Sequence, residues 1–388
     1  MAKKSKKSKK YYYIFVSIVV IIALLVAILD YRFSFGIVDW NQIFPEDRGG
    51  GKETIKTVQV DEIGNLTVKF IDVGQGDAIL ITFPDGTNML IDAGDNKNSV
   101  KSALDKHLKP NSKKAYIDYV VLTHADADHV GSMPYVYDNY EVGYTFRPYT
   151  KSTASKYTFS NSYNTGISKQ ESIVYNTWLE NVKNEKCDWE FFTDKSDFTY
   201  VFETEEKNYQ LRVDFLMPYI QSVNDYELFG NDLNEISAIV MIEYAGIKLL
   251  FTGDIENDAE ECFVTYYKDN PTLADLVDCD VLKVAHHGSD SSSTLSFINM
   301  VNPEYSVISC GIGNKYNHPS HDSLERLVAI SAVYRTDLQG DITFTITPNG
   351  EIIKQTQFSQ YNEYLSCDAL DDELVNKIEE IESFKANQ

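Results

Sequence analysis

Paired cysteines are missing from this 388-residue chain. Its five cysteines, Cys187, Cys262, Cys279, Cys310 and Cys367, lie far apart, with no Cys-x-x-Cys spacing. That gives no sign of a disulfide framework or a cysteine-rich zinc site and reads the thiols as small packing residues. Histidine is sparse, with seven in all and none between His129 and His286. Positive charge is scarce outside the extreme N-terminus. Six of the 35 basic residues fall within the first ten positions, which hold no acid, so 29 remain against 58 acidic residues. A body this acidic repels long polyanions, because nonspecific DNA affinity comes from Lys and Arg neutralising phosphates. Lys97, Lys101, Lys106, Lys109, Lys113 and Lys114 are a local exception, readable as an anion-guiding patch or as a solvated helix face. There is no internal repeat.

Charge is wholly absent from Tyr11 to Leu29, directly after the lysines. A helix needs about 20 mostly apolar residues to cross a bilayer. Tyr11, Tyr12 and Tyr13 suit the membrane interface, and lysines stay on the cytoplasmic side. A cleaved signal peptide has a shorter apolar stretch of about 7–15 residues ending in small residues, and Val26-Ala27-Ile28-Leu29-Asp30 offers no such ending. The pattern predicts a cytoplasmic basic tail (1–10), an uncleaved transmembrane signal anchor (11–29), a linker (30–60) containing Gly49-Gly50-Gly51, and a catalytic body outside the cell membrane.

What is present is a set of apolar runs that each close on Asp or His. Tyr119-Val120-Val121-Leu122 opens into Thr123-His124-Ala125-Asp126-Ala127-Asp128-His129. Leu249-Leu250-Phe251-Thr252-Gly253 ends at Asp254, Val281-Leu282-Lys283-Val284-Ala285 at His286-His287, and Leu90-Ile91 at Asp92. Strands ending in loops aim such groups at one point, whereas a helix would scatter them. Imidazole with carboxylate suits Zn²⁺ or a slightly harder ion such as Mn²⁺. The runs together read as one polynuclear metal site, and by spacing alone either His286 or His287 serves as a ligand.

These motifs resemble the metallo-β-lactamase superfamily and, within it, the soluble hydrolase domain of the ComEC-type DNA-uptake proteins. The lead-in Phe70-Ile71-Asp72-Val73-Gly74-Gln75-Gly76-Asp77 is similar to that branch, as are Ser309 to Pro319 and Tyr334 to Gly340. The likeness runs from about Leu66 to Ile346. It implies an αββα four-layer sandwich, a layered α/β class that the strand–helix alternation also fits. It implies one or two divalent ions (Zn or Mn): His124, Asp126 and Asp254 for one, and Asp128, His129, His286 and the shared Asp254 for the other. Asp92, Asp77 and His287 would then brace the ligands from behind. Asp128 and His318 would carry catalysis, His318 by protonating a leaving group, and Asn314, Tyr316 and Ser289 would hold phosphate oxygens. A histidine present in the lactamases between the second and fourth motifs is absent, and Asn231-Asp232-Leu233-Asn234 occupies that interval. This counts against β-lactam hydrolysis.

The hydrolase domain is expected over 61–350, with an insertion at about 145–210 that is rich in Ser, Thr and Tyr between Tyr149 and Ser168. A strand and an acidic helix follow over 351–388. Ser237 to Asp254 reads as a hairpin turning at Ala245-Gly246. The expected activity is membrane-anchored, metal-dependent phosphodiester hydrolysis by a metal-activated hydroxide, with single-stranded DNA or nucleotides as first substrates. A cell-wall polymer (teichoic acid or choline-phosphate type) and a non-catalytic metal-binding sensor or scaffold are the competing readings.

Overall fold

Alternation at period two decides which face each strand buries. In β3 (Ala78–Thr82), Ile79 and Ile81 enter the apolar layer shared by two sheets, whereas Ala78 and Leu80 face a second layer lined by helices. The computed structural model describes residues 54–108, 115–148, 169–216 and 232–358, apart from 186, 194 and 275. The expected basic tail and anchor, the acidic helix after 358 and the stretch from Tyr149 to Ser168 lie outside these residues. Among the described residues no helix is long and apolar enough to cross a membrane.

Two eight-stranded mixed sheets form the middle layers. One runs in the order β16 (Ile352–Thr356), β15 (Ile342–Ile346), β2 (Leu66–Phe70), β3, β4 (Asn88–Ala93), β5 (Tyr116–Val121), β6 (Glu141–Arg147), β7 (Asp188–Phe191). The other runs β1 (Thr54–Gln59), β8 (Phe198–Glu203), β9 (Asn208–Leu216), β10 (Ile239–Tyr244), β11 (Ile247–Phe251), β12 (Val281–Lys283), β13 (Tyr305–Ile308), β14 (Ala332–Arg335). Phe70, Phe146 and Tyr119 of the first sheet meet Phe198, Phe215 and Phe251 of the second in the shared core. The Phe70 and Phe251 rings lie 6.2 Å apart across it.

Helices cover both outer faces. Val100 and Leu104 of α1 (Lys97–His107), Val130 of α2 (Ala127–Val130), Val136 of α3 (Met133–Asn139) and Trp178 of α4 (Lys169–Glu185) are buried in the helix-lined layer. On the opposite side, Phe263 of α5 (Asn257–Asp269) packs edge-on against Phe297 of α6 (Leu295–Val301) at 5.2 Å. Leu324 and Leu327 of α7 (His321–Val328) are buried as well. The sandwich is thus the expected one.

Three boundaries differ from expectation. Residues 54–59, expected within the linker, form β1, paired in parallel with β8. Its side chains are nearly all exposed, so its pairing leaves no apolar signature. The segment expected as an insertion, about 145–210, carries β7, β8 and part of β9, which are members of the sheets. Phe198, Tyr200, Phe202, Leu211, Val213 and Phe215 supply the alternation that places β8 and β9 there. The hairpin of β10 and β11 turns at Ala245 (φ 53°) and Gly246 (φ 81°) as expected, a left-handed pair that suits a two-residue turn.

Candidate metal centre

Strand ends from both sheets deliver the polar groups to one rim. In the first sheet β4 carries Asp92, and β5 runs on into Thr123-His124, followed by α2 with Asp128 and His129. In the second, β11 leads to Asp254 and β12 to a short turn, Ala285–Gly288, holding both His286 and His287. The loops approach too closely for a side chain at Gly253 (φ 52°), where a Cβ would stand 2.7 Å from Ser237 Cβ and 2.9 Å from Thr123 Cβ. Gly76 (φ 126°) is equally constrained, since a Cβ there would reach 2.2 Å from the Asp128 carbonyl oxygen.

Asp128, His129, Asp254 and His287 each present a ligand atom within 4.8 Å of all the others. Asp254 Oδ2 is 3.1 Å from His129 Nε2 and 3.2 Å from His287 Nε2, and Asp128 Oδ2 is 3.3 Å from His287 Nε2. Two ligands on a tetrahedral zinc ion, each about 2.0–2.1 Å from it, stand roughly 3.3 Å apart. His124 Nε2 lies 4.0 Å from Asp254 Oδ2 at the side of the group.

The other nitrogen of each imidazole is taken. His129 Nδ1 bonds Asp92 Oδ2 at 2.7 Å, and His287 Nδ1 donates to the Ser309 carbonyl at 2.8 Å. His124 Nδ1 faces the hydroxyls of Thr123 and Ser237 at 3.1 and 3.2 Å. The three Nε2 atoms and Asp254 Oδ1 are left buried without a hydrogen-bond partner. Orphaned buried acceptors are costly, and the donor set fits a divalent cation such as Zn²⁺ or Mn²⁺.

Backbone strain marks the same place. Asp92 (φ 54°), His286 (φ 45°) and His287 (φ 53°) all sit in the left-handed region, which costs of order 1–3 kcal/mol each. Asp92 is fully buried and accepts from Thr123 N–H (2.8 Å), Thr123 Oγ (2.6 Å) and His129 (2.7 Å). Its carboxylate thereby orients both the Thr123 turn and the His129 ring.

The electrostatics describe a centre short of positive charge. Burial alone would lower the His287 imidazole, but Asp254 and Asp128 hold it up at about 10. Burial likewise opposes the rise of His129, which Asp254 and Asp92 push well above its usual range. Burial would raise Asp254, yet the charges of His129 and His287 hold it far below the carboxylate range. Burial and the neighbouring His129 keep His124 neutral. The carboxylates around His129 and His287 therefore favour positive charge at this point.

The geometry places several of the expected residues differently from their expected roles. His287, expected behind the ligands, stands in the four-residue group, while His286, expected as the ligand, turns its Nδ1 to Glu256 at 2.8 Å. The reason is local: both residues are left-handed in a tight turn rather than alternating on a strand. Asp126 stands half-exposed at the residue before α2, makes no side-chain bond to the helix N-terminus and is not a member of the tight group. Asn314 does not present its amide to a substrate. Its Nδ2 donates to the carbonyls of Gly311 (2.9 Å) and His318 (2.5 Å), and its Oδ1 accepts from the N–H groups of Tyr316 and His318. Ser289 is buried, with its hydroxyl against that of Ser291 at 2.9 Å, so it shapes the loop.

Tyr316 faces solvent and stacks on His318. His318 is half-buried, its ring 5.3 Å from that of His286, and burial together with His286 and His287 lowers it to about 4. It is therefore a neutral imidazole at pH 7, not a charged acid. Asp77 is buried 3.6 Å from His287 Nδ1 and 3.8 Å from His129 Nδ1, on the side of the rings away from Asp128. Asn234, in the interval lacking a histidine, donates to Glu256 at 3.0 Å. His107 and His321 are exposed on helices.

Three contributors went unread in the sequence: Glu256, Ser237 and Lys283. Lys283 is 1% exposed and contacts the Asp77 carboxylate, the Gly253 carbonyl (3.1 Å) and Asp254 Oδ1 (3.7 Å). Its signal was a single lysine inside an otherwise apolar strand run.

Residues 71–145 match the family described as the Metallo-beta-lactamase superfamily. ComE operon protein 3 of Bacillus subtilis is 26% identical over 292 residues, covering 71% of this chain and 32% of that protein. Competence protein ComA of Neisseria gonorrhoeae is 35% identical over 134 residues, covering 34% of this chain and 18% of that protein. The chain thus spans about a third or less of these relatives. Among solved structures, Zn²⁺-bound PqqB from Methylobacterium extorquens is similar at a TM-score of 0.36 and 13% identity, covering 69% of this chain and 85% of that one. Residues 71–145 thus resemble the metallo-beta-lactamase superfamily, and the chain is similar in sequence to the competence proteins it matches.

Proposed function

We propose that the protein is a membrane-anchored, metal-dependent hydrolase of phosphodiesters, with DNA or nucleotides as its first candidate substrates. The observation that carries this reading is the set of three buried, unpartnered Nε2 atoms converging on Asp254, with Asp128 alongside. His129, His287, Asp254 and Asp128 would hold one divalent cation, and His124 would reach a second or share the first. When bound, such a cation supplies Lewis acidity and lowers the pKa of water from 15.7 towards about 7.

The chain's own groups do the rest. Asp92 and the Ser309 carbonyl fix two imidazole rings through their Nδ1 atoms, which sets the ligating tautomer. Neutral His318 and exposed Tyr316 stand at the open rim, positioned to hydrogen-bond a phosphoryl or leaving-group oxygen. The competence relatives motivate the choice of DNA, and the acidity of the body favours short or locally gripped substrates over long polyanions. The lysine-rich start and the uncharged Tyr11 to Leu29 support a single-pass anchor with the N-terminus cytoplasmic and the hydrolase domain outside.

The test uses the full chain in detergent, loaded with Zn²⁺ or Mn²⁺, on an activated phosphodiester, single-stranded DNA and a teichoic acid. Cleavage abolished by Asp128→Asn and His129→Ala is expected. No cleavage with either ion sinks the enzyme reading, whereas cleavage of the teichoic acid alone replaces nucleic acid by a cell-wall substrate. Protease added to intact cells should digest the body; a protected body reverses the orientation.

A further inference from the structure

Behind the four clustered ligands lies a second, fully enclosed layer whose charge is not balanced by them. Asp77, Asp92, Asp128 and Asp254 bring four carboxylates together, and all but Asp128 are fully buried. Lys283 is the lysine that meets them. Its ammonium is shut off from solvent, contacts Asp77, donates to the Gly253 carbonyl at 3.1 Å, and stands 3.7 Å from the Asp254 oxygen turned away from the imidazoles. The two oxygens of Asp254 are thereby divided: Oδ2 faces His129 and His287, and Oδ1 faces Lys283. Asp77 in turn lies on the Nδ1 side of both rings.

A lysine is a poor choice for filling such a space. Burying an ammonium is costly unless it is paired, and an apolar side chain would follow Val281 on the same face of β12 without that cost. A fixed positive charge against the far oxygen of a ligand carboxylate withdraws density from it and repels an arriving cation. We propose that Lys283 is the internal counter-charge of the centre, a positioning residue that acts through Asp77 and Asp254 to limit how tightly divalent cations are held. This rests on the metal-centre reading above. Loose retention keeps the ion Lewis-acidic, because its carboxylate ligand is less electron-rich.

The test is a charge cycle on the full chain in detergent, reading Mn²⁺ and Zn²⁺ dissociation constants by competition with a chelator, with circular dichroism to follow folding. Lys283→Met leaves an extra uncompensated carboxylate and is expected to tighten Mn²⁺ binding by about tenfold or more. Asp77→Asn leaves an extra ammonium and is expected to weaken it by a similar factor of about ten. The double variant restores the charge balance and should return to within about threefold of the unmodified chain. A packing role would instead weaken binding in every variant, with no restoration, and that result overturns the proposal. Should Lys283→Met alone fail to fold, the other two variants decide, since the double variant must regain what Asp77→Asn loses. If the unmodified chain binds neither ion, the metal reading falls and this proposal with it. If it binds an ion but the cycle does not close, only the role of Lys283 is overturned.

Discussion

The floor of the centre and its rim are built on different principles. On the floor, Asp92, His129, His287, Asp254 and Lys283 are buried, with His129 Nδ1 held by Asp92, His287 Nδ1 by the Ser309 carbonyl and the Lys283 ammonium by the Gly253 carbonyl. At the rim, Asp126, His286, Tyr316 and His318 are half-buried or exposed and are carried by loops. Rigid strand ends set the electronic character of the floor, whereas loops leave the rim free to differ in what it grips. The contrast is sharpest between two neighbours in sequence. His287 belongs to the floor and His286 to the rim, although they share one turn.

That contrast is broken most easily at the histidine pair. His287→Ala should cost at least about 100-fold in activity together with metal binding, since even an outer partner is worth about 10–100-fold. His286→Ala should retain the metal and lose far less. The comparison needs only metal content and rate, and the reverse ranking would return His286 to the ligand set. Next in size is Asp92→Asn, which weakens the grip on the His129 ring. Metal affinity should fall by about 10–100-fold while the fold persists, and an unchanged affinity would show that the ring needs no brace.

The third effect is a pH dependence. His129 and His287 both hold protons near neutrality when no metal is bound, His287 with a value of about 10. A dication must displace them, so affinity should climb as pH rises, by about tenfold per pH unit for each proton released. Calorimetry in two buffers of different ionisation heat counts those protons, and a count of zero refutes the charge assignment. The smallest effect belongs to His318. Because burial and its histidine neighbours hold it neutral, His318→Gln should preserve more activity than His318→Ala. Equal loss in both would favour proton donation over hydrogen bonding.

Much of the floor was legible in the sequence, because period-two apolar runs end where a polar side chain must point out of the core. Asp92, His124 and Asp254 are readable on that ground, whereas Asp128 and His129, expected on an extended loop, sit on the one-turn helix α2 that follows it. The choice between His286 and His287 was not, since it depends on two successive left-handed residues that no strand pattern encodes. Asn314 was misread because an amide in a glycine-containing loop looks the same whether it turns outward or clasps its own backbone. Lys283 was hidden by the run around it, and β1 by the exposure of its side chains. Burial and backbone angle, not residue type, decide such positions.

One property of the centre extends beyond chemistry. His129 and Asp128 hang from one sheet, Asp254 and His287 from the other, and Gly253 lets the two loops interlock. A captured dication would therefore rivet the halves of the sandwich to each other, and prying them apart would eject it. Heat resistance should then rise with free metal concentration and drop when a chelator is added, so that loading the centre and holding the body together become a single equilibrium.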